Sequence, residues 1–333
     1  MHRDFSNGNG VGRVAKGSQP VVIIGAPSGL GGRCAGTCGG PKSIRGAGLQ
    51  RRLQARGIVV DDRGDVYVES VERMSGLDPG AELTKAVSDF CLRLRDSVRG
   101  AILEGTFPLV LGGEHSLAAG SQAGVGSAYR ALGLEAPGLI WFDAHADSNS
   151  METTPSGNLH GMPLAALMGL PVPAFASCIG RDGTRDPKRV VCVAQRDIDS
   201  GEHENLDRLG VRVFDCNEIR RRGIDAVMAE AIVRACGRDG RYSMSFDLDS
   251  LDPRVCPGVD CPVNDGLSLD EVRVAMAMVA DHGGLIELDV VEVNPSRDIE
   301  SRTAAIAVEA ALTMLAGLAA GEEVLPMRRH VAG

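Results

Sequence analysis

Strand-forming and helix-forming stretches take strict turns along this chain, and no other feature limits its fold so tightly. Short β-branched runs fall at Val21–Gly25, Ile58–Asp61, Leu109–Leu111, Leu139–Phe142, Val190–Ala194, Val211–Phe214, Ser243–Asp247 and Leu285–Val291. Between them lie stretches with helical character, Pro41–Arg56, Ala81–Leu103, Ser116–Leu132, Ala226–Arg238, Leu269–Asp281 and Arg302–Leu318, with Gly57, Gly133 and Gly283 placed as C-terminal stops. Such alternation predicts an α/β fold of three layers, α/β/α, around a mostly parallel eight-stranded sheet covered on both faces. No repeat, long linker or shift in composition divides the 333 residues. One domain is therefore expected over residues 20–322, with flexible tails at 1–19 and 323–333.

Composition removes several classes of function. Lys plus Arg is 35 and Asp plus Glu is 44, a formal charge of −9, the wrong sign for a nucleic-acid binder or a reader of anionic membranes. The most membrane-like stretch, Ala304–Ala320, is short and carries Glu309, which predicts a buried helix. The nine cysteines are an odd number, and Met1 to Pro20 hold no apolar run of a secretory signal. Reduced thiols in a cytoplasmic protein are expected. The pairs Cys34/Cys38 and Cys256/Cys261 lack the C-x2-C spacing of a zinc site and lie in Gly/Pro loops.

In an open parallel sheet the loops leaving the carboxyl ends of the strands share one crevice, and ligands bind there. Three of these loops concentrate metal-binding chemistry. One reads Gly112-Gly113-Glu114-His115-Ser116, where strand turns into helix. A second reads Asp143-Ala144-His145-Ala146-Asp147, in which alternate side chains on an extended backbone would point the same way. A third reads Asp247-Leu248-Asp249, with Asp252-Pro253 just beyond. Any one of them could be a turn or a surface ion-pair cluster. Together they bring four carboxylates and two imidazoles to one place, where the carboxylates would repel unless cations neutralised them. Two divalent ions answer that need, and an oxygen-rich set with two imidazoles suits Mn(II) or a similarly hard ion better than a thiolate-seeking one. A water shared between such ions loses its proton near neutral pH and becomes a nucleophile.

These residues resemble the ureohydrolase family, and within it most closely the arginases. The segments that carry the resemblance are Gly-Gly-Glu114-His115-Ser, Asp143-Ala-His145-Ala-Asp147-Ser-Asn149, Ser156-Gly-Asn158-Leu-His160-Gly, Arg196-Asp197-Ile-Asp199-Ser-Gly-Glu202, Ser-Phe-Asp247-Leu-Asp249 and Glu292-Val-Asn-Pro295, in the family's order. The resemblance implies an arginase-like fold and two Mn(II) per subunit. One ion would take His115, Asp143, Asp147 and Asp247, and the other Asp143, His145, Asp247 and Asp249. It implies that Glu292 pairs with a guanidinium, that His160 shuttles protons and that Asp147 helps steady the tetrahedral intermediate. Read without it, Glu292 could be a turn carboxylate before Asn294-Pro295, and His160 an exposed loop imidazole that titrates near neutrality.

Substrate choice rests on the rest of the molecule. Asn149, Ser156 and Asn158 match positions that in arginases bind the α-carboxylate, and Asp199 and Glu202 match those that bind the α-amino group. The implied reaction is hydrolysis of L-arginine to L-ornithine and urea, in a homo-oligomer, commonly a trimer or hexamer. Three residues depart from the arginase pattern: Cys261 stands for a threonine that approaches the guanidinium, Glu114 for an aspartate, and Ser148 for an apolar residue. A thiol is a weak donor, so Cys261 leaves open another guanidino substrate (N-hydroxyarginine, agmatine, a guanidino acid) or formiminoglutamate. A non-catalytic metal-binding homologue is the alternative from another class.

Overall fold

The computed structural model describes residues 19–33, 35–68 and 79–319. Apart from Gln19, the two expected tails lie outside these residues, as does Cys34. The eight strands are β1 (Val21–Ala26), β2 (Val60–Asp65), β3 (Phe107–Gly112), β4 (Gly138–Phe142), β5 (Val190–Gln195), β6 (Arg212–Asp215), β7 (Tyr242–Asp247) and β8 (Leu285–Val291). They form one sheet in the order β2-β1-β3-β8-β7-β4-β5-β6. Every pairing is parallel, so the expected "mostly parallel" sheet is wholly so.

The helices are α1 (Gly40–Gly46), α2 (Leu49–Gln54), α3 (Pro79–Leu103), α4 (Ala118–Ala131), α5 (Pro163–Leu167), α6 (Ala176–Ile179), α7 (Ser200–Leu209), α8 (Cys216–Arg222), α9 (Ile224–Ala235), α10 (Leu269–His282), α11 (Arg302–Met314) and α12 (Ala316–Ala319). Alternation along the strands explains the three layers. On β1, Val21 and Ile23 join the core beneath α1, α2 and α8–α11, whereas Val22 and Ile24 join the core beneath α3–α7. No helix among the described residues is long and apolar enough to cross a membrane.

Several boundaries differ from expectation for identifiable reasons. The helix expected over Pro41–Arg56 is two helices, because Gly48 adopts φ +87° and turns the chain between them. Strand β2 begins two residues after Ile58, since it is a polar edge strand whose apolar cue, Ile58-Val59, precedes the paired residues. A 3-10 turn, His115–Leu117, stands before α4 where one continuous helix was expected from Ser116. The short helices α5, α6 and α8 span too few residues to show a helical period and were not anticipated. Gly133 and Gly283 do close α4 and α10 in the left-handed region.

Candidate metal centre

Strands β3, β8, β7 and β4 are consecutive in the middle of the sheet, and each ends in a loop that carries part of the site. His115 follows β3, Glu292 follows β8, Asp247 ends β7, and Asp143 follows β4. Residues far apart in sequence meet for that reason. His115 Nδ1 lies 3.0 Å from Asp143 Oδ2 and 3.1 Å from both Asp147 Oδ2 and Asp247 Oδ2. His145 Nδ1 lies 3.0 Å from Asp249 Oδ2 and 3.5 Å from Asp143 Oδ1. Two groups able to hold a metal ion result, His115/Asp143/Asp247 and Asp143/His145/Asp249, with Asp143 common to both. Among the described residues no cysteine belongs to such a group, and every cysteine there is free.

The backbone departs from the extended geometry expected across Asp143–Asp147. The chain bends at Asp143 and Ala144, where Asp143 Oδ1 accepts the His145 amide at 2.7 Å. Asp147 enters the site from a left-handed conformation, φ +47°. Glu292 is also left-handed, at φ +65°. For residues with a Cβ such conformations cost about 1–3 kcal/mol each and persist only where the surroundings enforce them.

Side chains that the motif reading passed over hold these groups in place. The Trp141 ring lies flat on His115, centroids 4.1 Å apart and planes 9° apart, and its Nε1 donates to Asp143 Oδ2 at 2.9 Å. Ser245 Oγ stands 2.9 Å from His115 Nε2, leaving Nδ1 to face the carboxylates. Arg196 donates to the carbonyls of Asp249, Ser250, Leu251, Val263 and Asn264, tying the β7 loop to the segment around Cys261. A sequence signal existed for two of them: Trp141 and Ser245 each sit two residues before an expected ligand, on the same strand face.

The charges do not balance among the side chains alone. Burial first, and then neighbouring carboxylates, push Asp147, Asp247 and Asp249 upward. Asp143 goes the other way: burial opposes its charge, but the His115 and His145 imidazoles beside it hold it well below the carboxylate range. Burial also opposes charge on His115, yet Asp143, Asp147 and Asp247 hold its proton well above the ordinary imidazole value. Even so, no hydrogen-bond geometry satisfies His115 Nδ1, which is buried among three carboxylate oxygens. A proton serves one direction only, whereas neighbouring ligands around an ion with bonds of about 2.1 Å stand about 3 Å apart. The donor set and its spacing fit divalent cations.

Glu292 Oε1 accepts the His115 amide at 2.8 Å, and Oε2 is buried without a hydrogen-bond partner. His160 Nδ1 is 3.8 Å from Glu292 Oε1. Its side chain is only 16% exposed, which corrects the expectation of an exposed loop imidazole: the turn Leu159–Gly161 folds it toward Glu292. Burial resists charge on His160, but Glu292 outweighs it and pushes the imidazole up to about 9; burial raises Glu292 itself to about 7. Cys261 is half-buried, and burial followed by the nearby Glu292 charge pushes its thiol up to about 12.

Asn149, two residues past Asp147, is held through both ends of its amide. Its Nδ2 donates to Asp199 Oδ2 at 2.9 Å, and its Oδ1 accepts from Thr153 Oγ1 at 2.9 Å. Ser156 is exposed and Asn158 half-buried, linked by the bond from the Asn158 amide to Ser156 Oγ at 3.2 Å. Asp199 is exposed; Glu202 is buried, with Oε1 accepting the Ser148 amide and Oε2 the Asp199 amide, both at 2.9 Å. Glu202 therefore closes the start of α7 as well as bordering the site.

A profile of the arginase family matches residues 19–317. The arginase of Bacillus caldovelox is 39% identical over 291 residues, 87% of this chain and 96% of that protein. The chain belongs to the arginase family. The arginase of Brevibacillus brevis is 39% identical over 288 residues, covering 86% of this chain and 95% of its own. Among solved structures, that of Bacillus caldovelox arginase superposes with a TM-score of 0.84 at 37% identity, over 92% of this chain and all of that one. An Entamoeba histolytica arginase solved with L-ornithine superposes at 0.79 and 27% identity, over 90% of this chain and 99% of that one. The all-parallel eight-stranded sheet is thus the arginase fold.

Proposed function

We propose that this protein is a metal-dependent hydrolase that cleaves the guanidinium group of L-arginine to give L-ornithine and urea. The observation that carries the reading is the Glu292 carboxylate, buried with Oε2 unpartnered beside two groups of Asp and His ligand atoms. Kinship with arginases of Bacillus caldovelox and Brevibacillus brevis supports the substrate.

The cofactor we infer is Mn(II), two per subunit. His115, Asp143, Asp147 and Asp247 would hold one ion, and Asp143, His145, Asp247 and Asp249 the other, with Asp143 and Asp247 shared. When bound, the ions supply the positive charge that lets water lose a proton near neutral pH and offset charge developing at the reacting centre. Glu292 pairs through Oε2 with the planar guanidinium and fixes its carbon for attack. Asp147 accepts a hydrogen bond from the tetrahedral intermediate and steadies it. His160, held protonated near neutral pH by Glu292, gives a proton to the departing amine as the carbon–nitrogen bond breaks; water supplies the oxygen of urea and the replacement proton.

At the other end of the substrate, Asn149, Ser156 and Asn158 receive the α-carboxylate, directly or through water, and Asp199 and Glu202 receive the α-amino group. Cys261 lies against the guanidinium end. We further read residues 20–322 as one working domain, supported by the single continuous sheet, and the protein as a cytoplasmic homo-oligomer, trimeric or hexameric.

The test is urea release by the Mn(II)-loaded protein from L-arginine, run beside agmatine, guanidinobutyrate and N-hydroxyarginine. Preference for L-arginine is expected. Preference for another compound would assign the specificity to the segment around Cys261, and no urea from any of them with metal bound would overturn the reading.

A further inference from the structure

Between β1 and the 3-10 turn Ala35–Gly39, residues 28–33 run without regular structure. The Ser28 amide goes to the Ala26 carbonyl at 2.9 Å, and beyond it side chains take the amides: Leu30 donates to Ser28 Oγ at 3.3 Å, Gly31 to Glu114 Oε1 at 3.2 Å and Arg33 to Asp260 Oδ2 at 3.2 Å. The last two acceptors are buried carboxylates from distant parts of the chain, 0% and 3% exposed. Glu114 also accepts from Ser28 Oγ at 2.8 Å, and is itself fixed by the Ser116 amide at 2.9 Å and Ser116 Oγ at 2.7 Å. Asp260 is steadied by Arg297, whose Nη1 donates to its carbonyl at 2.9 Å. The fit is close, since a Cβ on Gly31 would stand 2.9 Å from Glu114 Oε2.

The same segment holds the proton carrier. Gly31 O accepts the His160 amide at 3.1 Å, so whatever anchors Gly31 sets the height of His160. The ring then lies 3.8 Å from Glu292 Oε1, beyond hydrogen-bond reach by a few tenths of an ångström, and a small backbone shift changes whether a proton can pass.

We propose that Glu114 and Asp260 form a two-sided carboxylate clamp on residues 28–33 that sets the position of His160, making both of them positioning residues for return of the proton to the leaving amine. The inference rests on the role assigned to His160 above. It separates from metal binding, because Asp260 belongs to neither ligand group.

A double-mutant cycle on the full-length, Mn(II)-loaded protein tests it. Asp260→Ala should lower kcat on L-arginine about tenfold and leave KM within about twofold, with bound metal unchanged. Asp260→Asn keeps an oxygen for the Arg33 amide and should retain most of the wild-type kcat, which also guards against a variant that merely folds poorly. Glu114→Gln, with metal content measured because His115 adjoins it, should fall like Asp260→Ala, since its amide must set a donor against donors. In a His160→Asn background Asp260→Ala should cost nothing further. An unchanged kcat for Asp260→Ala, or a full additional tenfold loss in that background, would overturn the clamp. His160→Asn with wild-type kcat would instead remove the reading of His160, a failure visible before Asp260 is altered, and the clamp with it.

Discussion

Trp141→Phe probes the metal centre most directly. Trp141 is fully buried, stacked on His115, and donates from Nε1 to Asp143 Oδ2 at 2.9 Å. Phenylalanine keeps a stacking face and removes the donor. A hydrogen bond to a charged acceptor contributes about 1.5–3 kcal/mol, and about 1.4 kcal/mol corresponds to a factor of ten in binding. The Kd for Mn(II) should therefore rise about 10- to 100-fold. Because Asp143 belongs to both ligand groups, both ions should weaken together. Calorimetric titration of metal-stripped protein, checked by competition with a chelator of known affinity, measures this, and melting curves of the stripped proteins record the separate cost of the smaller ring. A change below threefold in both constants, or the weakening of one ion alone, would refute the claim that the indole proton orients a shared carboxylate.

Other consequences are as direct. Glu292→Gln, with its metal content intact, should lower kcat/KM on L-arginine about 10- to 100-fold through loss of a charge-assisted pair, and steady-state urea assays decide it. Cys261→Thr replaces a weak donor by a hydroxyl and should raise kcat/KM on L-arginine about 2- to 10-fold; no change would show that the thiol position does not meet the substrate. Glu287 on β8 is fully buried, and burial followed by Asp289 pushes its carboxyl well above the ordinary 4.5. The folded state thus favours the protonated form, so its contribution is complete below about pH 4.5 and is lost as pH rises toward the folded value, by about 1.4 kcal/mol for each pH unit over which only the unfolded chain ionises. Glu287→Gln should raise the melting temperature at pH 7 and flatten its decline above pH 4.5; equal slopes for the two proteins would contradict this. Stripping the metal should lower the melting temperature, and Mn(II) at a hundred times its Kd should restore about 2.7 kcal/mol for each ion bound.

The alternation of apolar runs was enough to foresee a parallel sheet between two helical layers, because buried parallel strands have no polar face and must read as continuous hydrophobic segments. Val21–Ala26 and Gly138–Phe142 show this clearly. Edge strand β2, with sequence VDDRGD, could not be bounded in the same way, since its register depends on pairing with β1. Short helices such as α8 were illegible because tertiary packing holds them, not any period of their own.

For the site, the sequence determined the chemical inventory: two imidazoles, four aspartates and Glu292, each at or just past the end of a strand that a parallel sheet must gather at one side. It also carried Cys261, Glu114 and Ser148, the residues in which this chain departs from the arginase pattern. Only the tertiary structure decided the strand order β3-β8-β7-β4 that makes those four loops neighbours, the left-handed turns at Asp147 and Glu292, and the burial that leaves His115 Nδ1 and Glu292 Oε2 without partners. The reason is physical: residue types and their spacing along one strand are local, whereas register, strain and desolvation arise from contacts between segments that the chain brings together only when it folds.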